Sequence, residues 1–173
     1  MDYKIIDIEG VGDVYAEKLI AAGINKVSEL LAKCAAPKGR KELAEATGIP
    51  EKLILRWTNH ADLFRVNGVG PQFAELLEKA GVDTVKEFRH RVPENLQPKL
   101  EEINAQFHIC GRVPAVSEIA KMVEEAKGLE PVMTYYMRFP SVLRGFLFVY
   151  SLVSKRVFIS CYIQDLTPVL YRT

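Results

Sequence analysis

One pattern of glycines and apolar residues occurs twice in the chain, as IEGVGDVYAEKLIAAGI at residues 8–24 and as VNGVGPQFAELLEKAGV at residues 66–82. The alignment of the two copies pairs Gly10 with Gly68, Val11 with Val69, Gly12 with Gly70, Ala16 with Ala74, Glu17 with Glu75, Leu19 with Leu77, Ala22 with Ala80 and Gly23 with Gly81. A match of this length indicates an internal repeat. The fold must therefore accommodate the same local structure at two places.

Each copy predicts a sharp turn at the paired glycines, followed by a short helix. Apolar residues recur at helical spacing at Tyr15, Ala16, Leu19 and Ala22 in the first copy, and at Phe73, Ala74, Leu77 and Ala80 in the second. This spacing directs one face of each helix toward the core. Gly23 and Gly81 stand where a left-handed residue ends a helix, and Pro71 suits a first helical turn.

The rest of the first 131 residues also predicts helices. They are expected at NKVSELLAKC, PKGRKELAEAT, PEKLILRWTNHADLF, TVKEFRHR, PENLQPKLEEINAQF and VSEIAKMVEEAK, with Gly48, Pro50, Pro93, Pro98 and Pro114 as punctuation. Trp57 is expected in the core, and the basic residues of PKGRK on a solvated turn. No alternation typical of strands precedes residue 131, so the expected fold class is all-α.

Residues 132–173 differ from this helical part in composition. Residues 1–131 hold 18 Lys and Arg against 21 Asp and Glu, whereas the tail holds five basic residues and one acid. The tail is rich in aromatic and β-branched residues, and its alternatives are a short β-hairpin near Ser154 and Lys155, a segment that docks in a partner, or a foreign sequence joined by a reading-frame error. Its uncharged runs of ten and eight residues are shorter than the roughly 20 of a membrane span, so no span is expected.

Several kinds of chemistry are not expected from this sequence. Cys34, Cys110 and Cys161 are odd in number and far apart, which favours free thiols in a reducing cytoplasm. The N-terminal residues lack the basic and apolar regions of a secretory signal. His108 and Cys110 have no further metal ligand near them, and GVGP lacks the Lys-Ser or Lys-Thr of a nucleotide-binding loop. We expect no cofactor, no metal site and no catalytic activity.

An apolar residue, a Gly-Val-Gly turn and a helix that opens on the last glycine resemble the helix-hairpin-helix motif. The residues that carry this resemblance are Ile8, Gly10, Val11, Gly12, Ala16 and Leu19, and again Val66, Gly68, Val69, Gly70, Ala74 and Leu77. From about residue 3 to residue 131, the longer pattern is similar to a bacterial domain-of-unknown-function family built from two such motifs. The resemblance implies one helical domain at residues 1–131, with units at about 3–65 and 66–131, and a tail at 132–173.

The repeated turn also has a physical route to binding the phosphates of nucleic acid. Glycines let a phosphate approach the backbone, and the first N–H groups of the next helix have no partner within it. Together with the positive end of the helix dipole they form a site for anions, which holds phosphates without reading bases. The donors would be the amides of Gly12, Asp13 and Val14 in the first copy, and of Gly70, Gln72 and Phe73 in the second.

The second turn is the stronger candidate, because Asp13 places a carboxylate where it competes for the amides of the first. Arg56 and Arg65 precede the second turn in sequence and are expected to assist it. The predicted nucleic-acid-binding residues are therefore Gly68, Val69, Gly70, Gln72, Phe73, Arg56 and Arg65, together with Gly10, Val11 and Gly12 of the first turn.

The charge of the two copies argues against nucleic-acid binding. Residues 8–24 contain three acids and one base, and residues 66–82 contain two acids and one base. Affinity for nucleic acid depends mainly on Lys and Arg. Two alternatives therefore stay open: turns that only pack helices together, and a protein-interaction module. The expected partners are DNA or RNA backbone, or another protein.

Overall fold

The computed structural model of the protein describes residues 2–136. After a 3₁₀ turn at Ile5–Asp7, the helices are α1 (Asp13–Ala21), α2 (Val27–Cys34), α3 (Pro37–Thr47), α4 (Glu51–Leu63), α5 (Pro71–Lys79), α6 (Val85–Phe88), α7 (Pro93–Phe107) and α8 (Val116–Gly128). Residues 2–136 contain no β-strand, only an isolated bridge between Lys4 and Lys26, so the all-α prediction is confirmed. The candidate strands near Ser154 and Lys155 lie outside the described residues.

The helix boundaries follow from the residues found at them. Proline opens α3, α5 and α7, where its missing N–H costs nothing because the first turn has no partner for that group. Gly48 ends α3 with a φ of 67°, a conformation that favours glycine. Pro98 was expected as punctuation but lies inside α7, which continues through it. None of the helices in the described part has the length and apolar character that crossing a membrane requires.

The core is built around α4, which contacts α2, α3 and α5. Helix α5 also contacts α7, and α7 packs on α8. The second half of the domain is joined to α4 through α5 and through direct bonds such as that from the Val85 N–H to Asp62. Trp57 of α4 is 1% exposed, as expected for a core residue, and its ring centroid lies 5.2 Å from that of Tyr15. Of the residues predicted to face the core, Ala16, Leu19, Phe73, Ala74, Leu77 and Ala80 are buried, whereas Tyr15 and Ala22 are partly buried and pack against it.

The two glycine-rich copies have the same backbone conformation. Gly10 and Gly68 have φ angles of 84° and 90°, and Gly23 and Gly81 have φ angles of 80° and 77°. Matching hydrogen bonds close the turns, from the Val11 N–H to the Ile8 carbonyl and from the Val69 N–H to the Val66 carbonyl. The helices end alike as well, through bonds from Ile24 to Leu19 and from Val82 to Leu77, both 2.9 Å long. The repetition seen in the sequence is therefore present in the backbone.

The last described residues pack on the first half of the domain. The compact helical unit comprises Met1–Tyr135, so residues 132–135, which the sequence analysis assigned to the tail, belong to it. Met133 is buried, and the Thr134 N–H donates to the Ala35 carbonyl at 3.0 Å.

The Arg40 side chain binds this segment and is buried. The prediction of a solvated turn for the basic residues of PKGRK is therefore wrong for Arg40. Its side chain is 2% exposed, and Nη1 donates to the carbonyls of Cys34 and Ala35 at 2.9 Å each. Nη2 donates to the Thr134 carbonyl at 2.8 Å. Because the end of α2 leaves carbonyl groups unpaired, a buried guanidinium can bond to them and to the Thr134 carbonyl at the same time.

Candidate functional site

The second glycine turn connects the end of α4 to α5. Gly68 has a φ of 90°, which favours glycine, and Gly70 is extended at the N-cap of α5. Val69 between them is buried and anchors the turn in the core, whereas Gly68 is exposed and Gly70 half-buried. The turn therefore presents its backbone at the surface.

Three backbone amides at this turn have no hydrogen-bond partner in the described part of the chain. The N–H groups of Gly70, Gln72 and Phe73 have no acceptor within residues 2–136. The first N–H to close the helix is that of Ala74, which donates to the Gly70 carbonyl at 2.9 Å. Pro71 has no N–H. These three donors lie at the positive end of the α5 dipole, which is an arrangement that can receive an anion.

A surface cavity of about 500 Å³ opens at the turn. It is lined by Gly68, Gly70, Pro71, Gln72 and Phe73 on one side, and by Cys110, Gly111, Arg112 and Pro114 from the loop between α7 and α8 on the other. Arg112 is the cationic side chain among these lining residues. Arg112 was not predicted at this site, because it reaches the turn only through the packing of α5 on α7 and of α7 on α8.

Arg112 forms a two-point ion pair with Glu118 in the first turn of α8. Nη1 lies 2.9 Å from Oε2 of Glu118, and Nη2 lies 2.9 Å from Oε1. Glu118 Oε2 also accepts the Ala115 N–H at 2.8 Å. The hydrogen bonds from Arg112 and Ala115 lower the pKa of Glu118 to about 2. The carboxylate is therefore charged throughout the neutral pH range.

Arg56 and Arg65, which were expected to assist the second turn, do not line its cavity. Nε of Arg56 donates to Oε2 of Glu78 at 2.9 Å, near the opposite end of α5 from the turn. Nη1 of Arg65 donates to Oδ1 of Asp62 at 2.8 Å, and Nη2 donates to the Glu130 carbonyl at 3.0 Å. Both guanidinium groups are thus engaged by acceptors within the domain.

The first glycine turn also has three amides without an acceptor among the described residues, but in a different electrostatic setting. The N–H groups of Gly12, Asp13 and Val14 also have no acceptor among the described residues. Val11 is buried, and a β carbon placed on Gly12 would meet no atom within 4 Å, so the turn is open. However, the exposed carboxylate of Asp13 stands at the first position of α1, beside these amides.

A partly buried charged cluster joins α4 to α5 away from the turns. The His60 ring is fully buried, and its Nε2 lies 2.9 Å from Oε2 of Glu78, the oxygen that also accepts from Arg56. Burial alone raises the pKa of Glu78, but the hydrogen bonds and charges of His60 and Arg56 outweigh it and lower this pKa. Burial and the charge of Glu87 raise the pKa of Asp83 nearby.

Metal-binding geometry is not found in the described part. Residues 2–136 contain no group of three or more His, Cys, Asp or Glu side chains that could hold a metal ion. His108 is exposed at the end of α7, and burial raises the pKa of the Cys110 thiol. A raised thiol pKa disfavours the reactive thiolate form.

Comparison with known proteins identifies one family. The model of a family described as Domain of unknown function (DUF4332) matches residues 9–129, a range that includes both glycine turns and the Arg112 loop. No curated protein and no solved structure matches the chain.

Proposed function

The chain belongs to the DUF4332 family, and we propose that it is a non-enzymatic module that binds the backbone of nucleic acid weakly and without sequence specificity. In this proposal the two glycine turns act as helix-hairpin-helix motifs, and the second turn makes the main contact. The partner is the sugar-phosphate backbone of DNA or RNA.

The observation that carries the proposal is the set of free amides at the cavity of the second turn. Gly70, Gln72 and Phe73 offer three N–H donors with no acceptor among residues 2–136, and the Arg112 guanidinium stands across the same cavity. Backbone N–H groups at a helix start suit phosphate oxygens, and an arginine adds the positive charge that the turn lacks. Contacts of this type position a backbone and carry no sequence information.

The surrounding charge supports weak rather than tight binding. Asp13 stands at the first turn, and the two predicted cations, Arg56 and Arg65, are engaged by Glu78 and Asp62. Each phosphate neutralised by Lys or Arg contributes about −0.9 to the slope of log K against log salt for B-DNA. With Arg112 as the main cation, we expect a slope on the order of −1 to −2.

A charge placed in the second turn tests the proposal. Gln72→Glu adds a carboxylate beside the free amides, in the first turn of α5, where an acid favours the helix. The variant should therefore stay folded. Repulsion between the new carboxylate and a phosphate should weaken the binding free energy by on the order of 1 kcal/mol, which is about a fivefold loss of affinity. Fluorescence anisotropy of a labelled 20-base-pair duplex, titrated at several salt concentrations, measures this loss.

The matched control is Asn95→Asp. Asn95 is exposed in the first turn of α7, a helix that also opens with proline, and it does not line the cavity. The Asn95→Asp substitution changes the net charge by the same amount as Gln72→Glu, and it also lies in the first turn of a helix. Equal effects of the two variants, or no binding by the wild-type protein even at low ionic strength, would reject the second turn as a nucleic-acid site.

A protein-interaction module is the second candidate, and the exposed surface of α1 favours it. Val14 and Ile20 are 68% and 50% exposed, and they lie on the same helix as the exposed acids Asp13 and Glu17. Large exposed apolar side chains are typical of protein-binding surfaces when they cluster. Capture of a protein partner that survives nuclease treatment, and that Val14→Ser with Ile20→Ser abolishes, would support this role. Loss of the partner on nuclease treatment would count against it.

Two further expectations stay predictions. The cysteine usage favours a cytoplasmic location, and the resemblance of the sequence implies a bacterial origin. Fractionation of cells that express the full chain measures the first.

A further inference from the structure

We propose that Glu118 restrains the second turn by holding Arg112 in an ion pair, so that an incoming phosphate must displace or share this carboxylate. The inference rests on the proposed function and adds a self-inhibiting contact to it. Arg112 is then the residue that supplies positive charge to the bound phosphate, and Glu118 sets how much of that charge is available.

The ion pair connects Glu118 to the cavity of the second turn through Arg112, which lines that cavity. Arg112 lines the cavity together with Gly70 and Gln72, and its two terminal nitrogens each contact one Glu118 oxygen at 2.9 Å. This two-point arrangement uses the same fork of donors with which arginine binds a phosphate. A phosphate that binds both terminal nitrogens therefore competes with the Glu118 carboxylate for the same edge of one guanidinium group.

Glu118 is fixed in its place independently of Arg112. Its Oε2 accepts the Ala115 N–H at 2.8 Å, as expected for an acid in the first turn of a helix. The carboxylate consequently stays at the start of α8 when the arginine turns toward a ligand. Because Arg112 and Ala115 lower the pKa of Glu118 to about 2, mild acid does not release the restraint.

The restraint is nevertheless weak enough for a ligand to overcome. The Arg112 and Glu118 side chains are 72% and 41% exposed. Ion pairs that are exposed to this extent are screened by water and salt and contribute little net attraction. A phosphate that also receives hydrogen bonds from the amides of Gly70, Gln72 and Phe73 offers more contacts than Glu118 does.

Substitution of Glu118 by glutamine isolates the restraint. Glu118→Gln removes the charge and keeps an oxygen that can accept the Ala115 N–H, so α8 retains its cap. We expect the affinity for the labelled duplex to rise by about three- to fivefold. The slope of log K against log salt should steepen, because Arg112 then neutralises a phosphate fully.

The control variant is Glu124→Gln. Glu124 lies on the same helix and pairs with Lys127 at 2.7 Å, and neither residue lines the cavity. The substitution changes net charge equally, so we expect less than a twofold rise in affinity from it. Arg112→Gln should weaken binding, and in the Arg112→Gln background Glu118→Gln should no longer strengthen binding more than Glu124→Gln does. Thermal melts of each variant establish that the helical domain is folded.

The outcomes separate this inference from the proposed function. If Gln72→Glu weakens binding but Glu118→Gln and Glu124→Gln act alike, the restraint is overturned and the amide site stands. Binding that is unaffected by Arg112→Gln overturns the inference in the same way. If neither the wild-type protein nor Glu118→Gln binds the duplex at low salt, both proposals are rejected. Binding that is stronger in Glu118→Gln than in the wild-type protein, and that Gln72→Glu weakens in both backgrounds, supports the restraint.

Discussion

Replacing Gly68 with alanine tests whether the second turn needs its observed backbone conformation. The φ of Gly68 is 90°, and a residue with a β carbon pays roughly 1–2 kcal/mol in the left-handed region. A β carbon on Gly68 would also lie 2.8 Å from Cε of Met122 in α8. This methyl group is the end of a flexible side chain, and moving it to another conformation costs about 0.5–1.5 kcal/mol.

The two costs together predict that Gly68→Ala lowers the free energy of unfolding by about 2 kcal/mol. For a domain of this size, such a loss corresponds to a melting temperature lower by roughly 6–10 °C. Thermal unfolding of the full chain, followed by far-UV circular dichroism, measures the change. The substitution Met122→Ala in both backgrounds separates the contact from the dihedral strain.

The control is Gly70→Ala at the other glycine of the turn. Gly70 is extended, and a β carbon there would lie 3.7 Å from the Tyr3 hydroxyl, an ordinary contact distance. Only the small difference between glycine and alanine at an N-cap remains, which is below about 1 kcal/mol. Equal melting temperatures for the Gly68→Ala and Gly70→Ala variants would show that alanine at position 68 meets no conformational strain, and would refute the predicted loss of stability.

Three more predictions concern the stability of the domain. In Gly39→Ala, the new β carbon would collide with the Lys33 carbonyl oxygen, a backbone atom that cannot move aside locally. Urea denaturation should therefore show a loss of about 3 kcal/mol in the free energy of unfolding, despite the better helix propensity of alanine. Gly128→Ala, where the space is open, is the control and should be near neutral. Asp62 is 1% exposed and accepts from the Val85 N–H and Arg65, so Asp62→Asn should lose about 2–3 kcal/mol in the same assay, whereas exposed Asp7→Asn should lose less than about 1 kcal/mol. The pKa of Glu78 is lowered in the folded protein, so its ionised carboxylate stabilises the fold at pH values above 4.5, the ordinary pKa of this group. This contribution is lost as the pH falls through the lower folded-state pKa. Glu78→Gln should therefore lose less stability than the wild-type protein between about pH 6 and pH 3, and a steeper loss would contradict the assigned sign.

The candidate site could be predicted from the sequence only where its residues are contiguous. Gly68, Gly70, Gln72 and Phe73 line one cavity because a turn and the start of a helix keep neighbouring residues together. Arg56 was expected at the same place because it is near in sequence, but α4 directs it to Glu78 at the far end of α5. Proximity in sequence is a poor guide across a helix, since residues along it are separated by 1.5 Å each and rotate around the axis.

Ionisable residues buried inside the domain show the same limit. Arg40 and His60 are ordinary surface residue types, and nothing in their local sequence separates them from exposed neighbours such as Lys41. Arg40 is buried because the end of α2 and the Thr134 carbonyl supply acceptors from two distant segments. His60 is buried because Glu78 on another helix faces it. Burial of a charged group depends on such partners, which only the packed chain assembles.

The sequence by itself determined the all-α class, the two glycine turns and the apolar faces of their helices. These features follow from backbone angles and helical spacing, which act over a few consecutive residues. Only the tertiary structure decided that Arg112, paired with Glu118, stands across the cavity from the second turn, and that residues 132–135 belong to the domain. Both depend on contacts between segments far apart in the chain, where the physical signal is complementary packing and charge rather than local pattern.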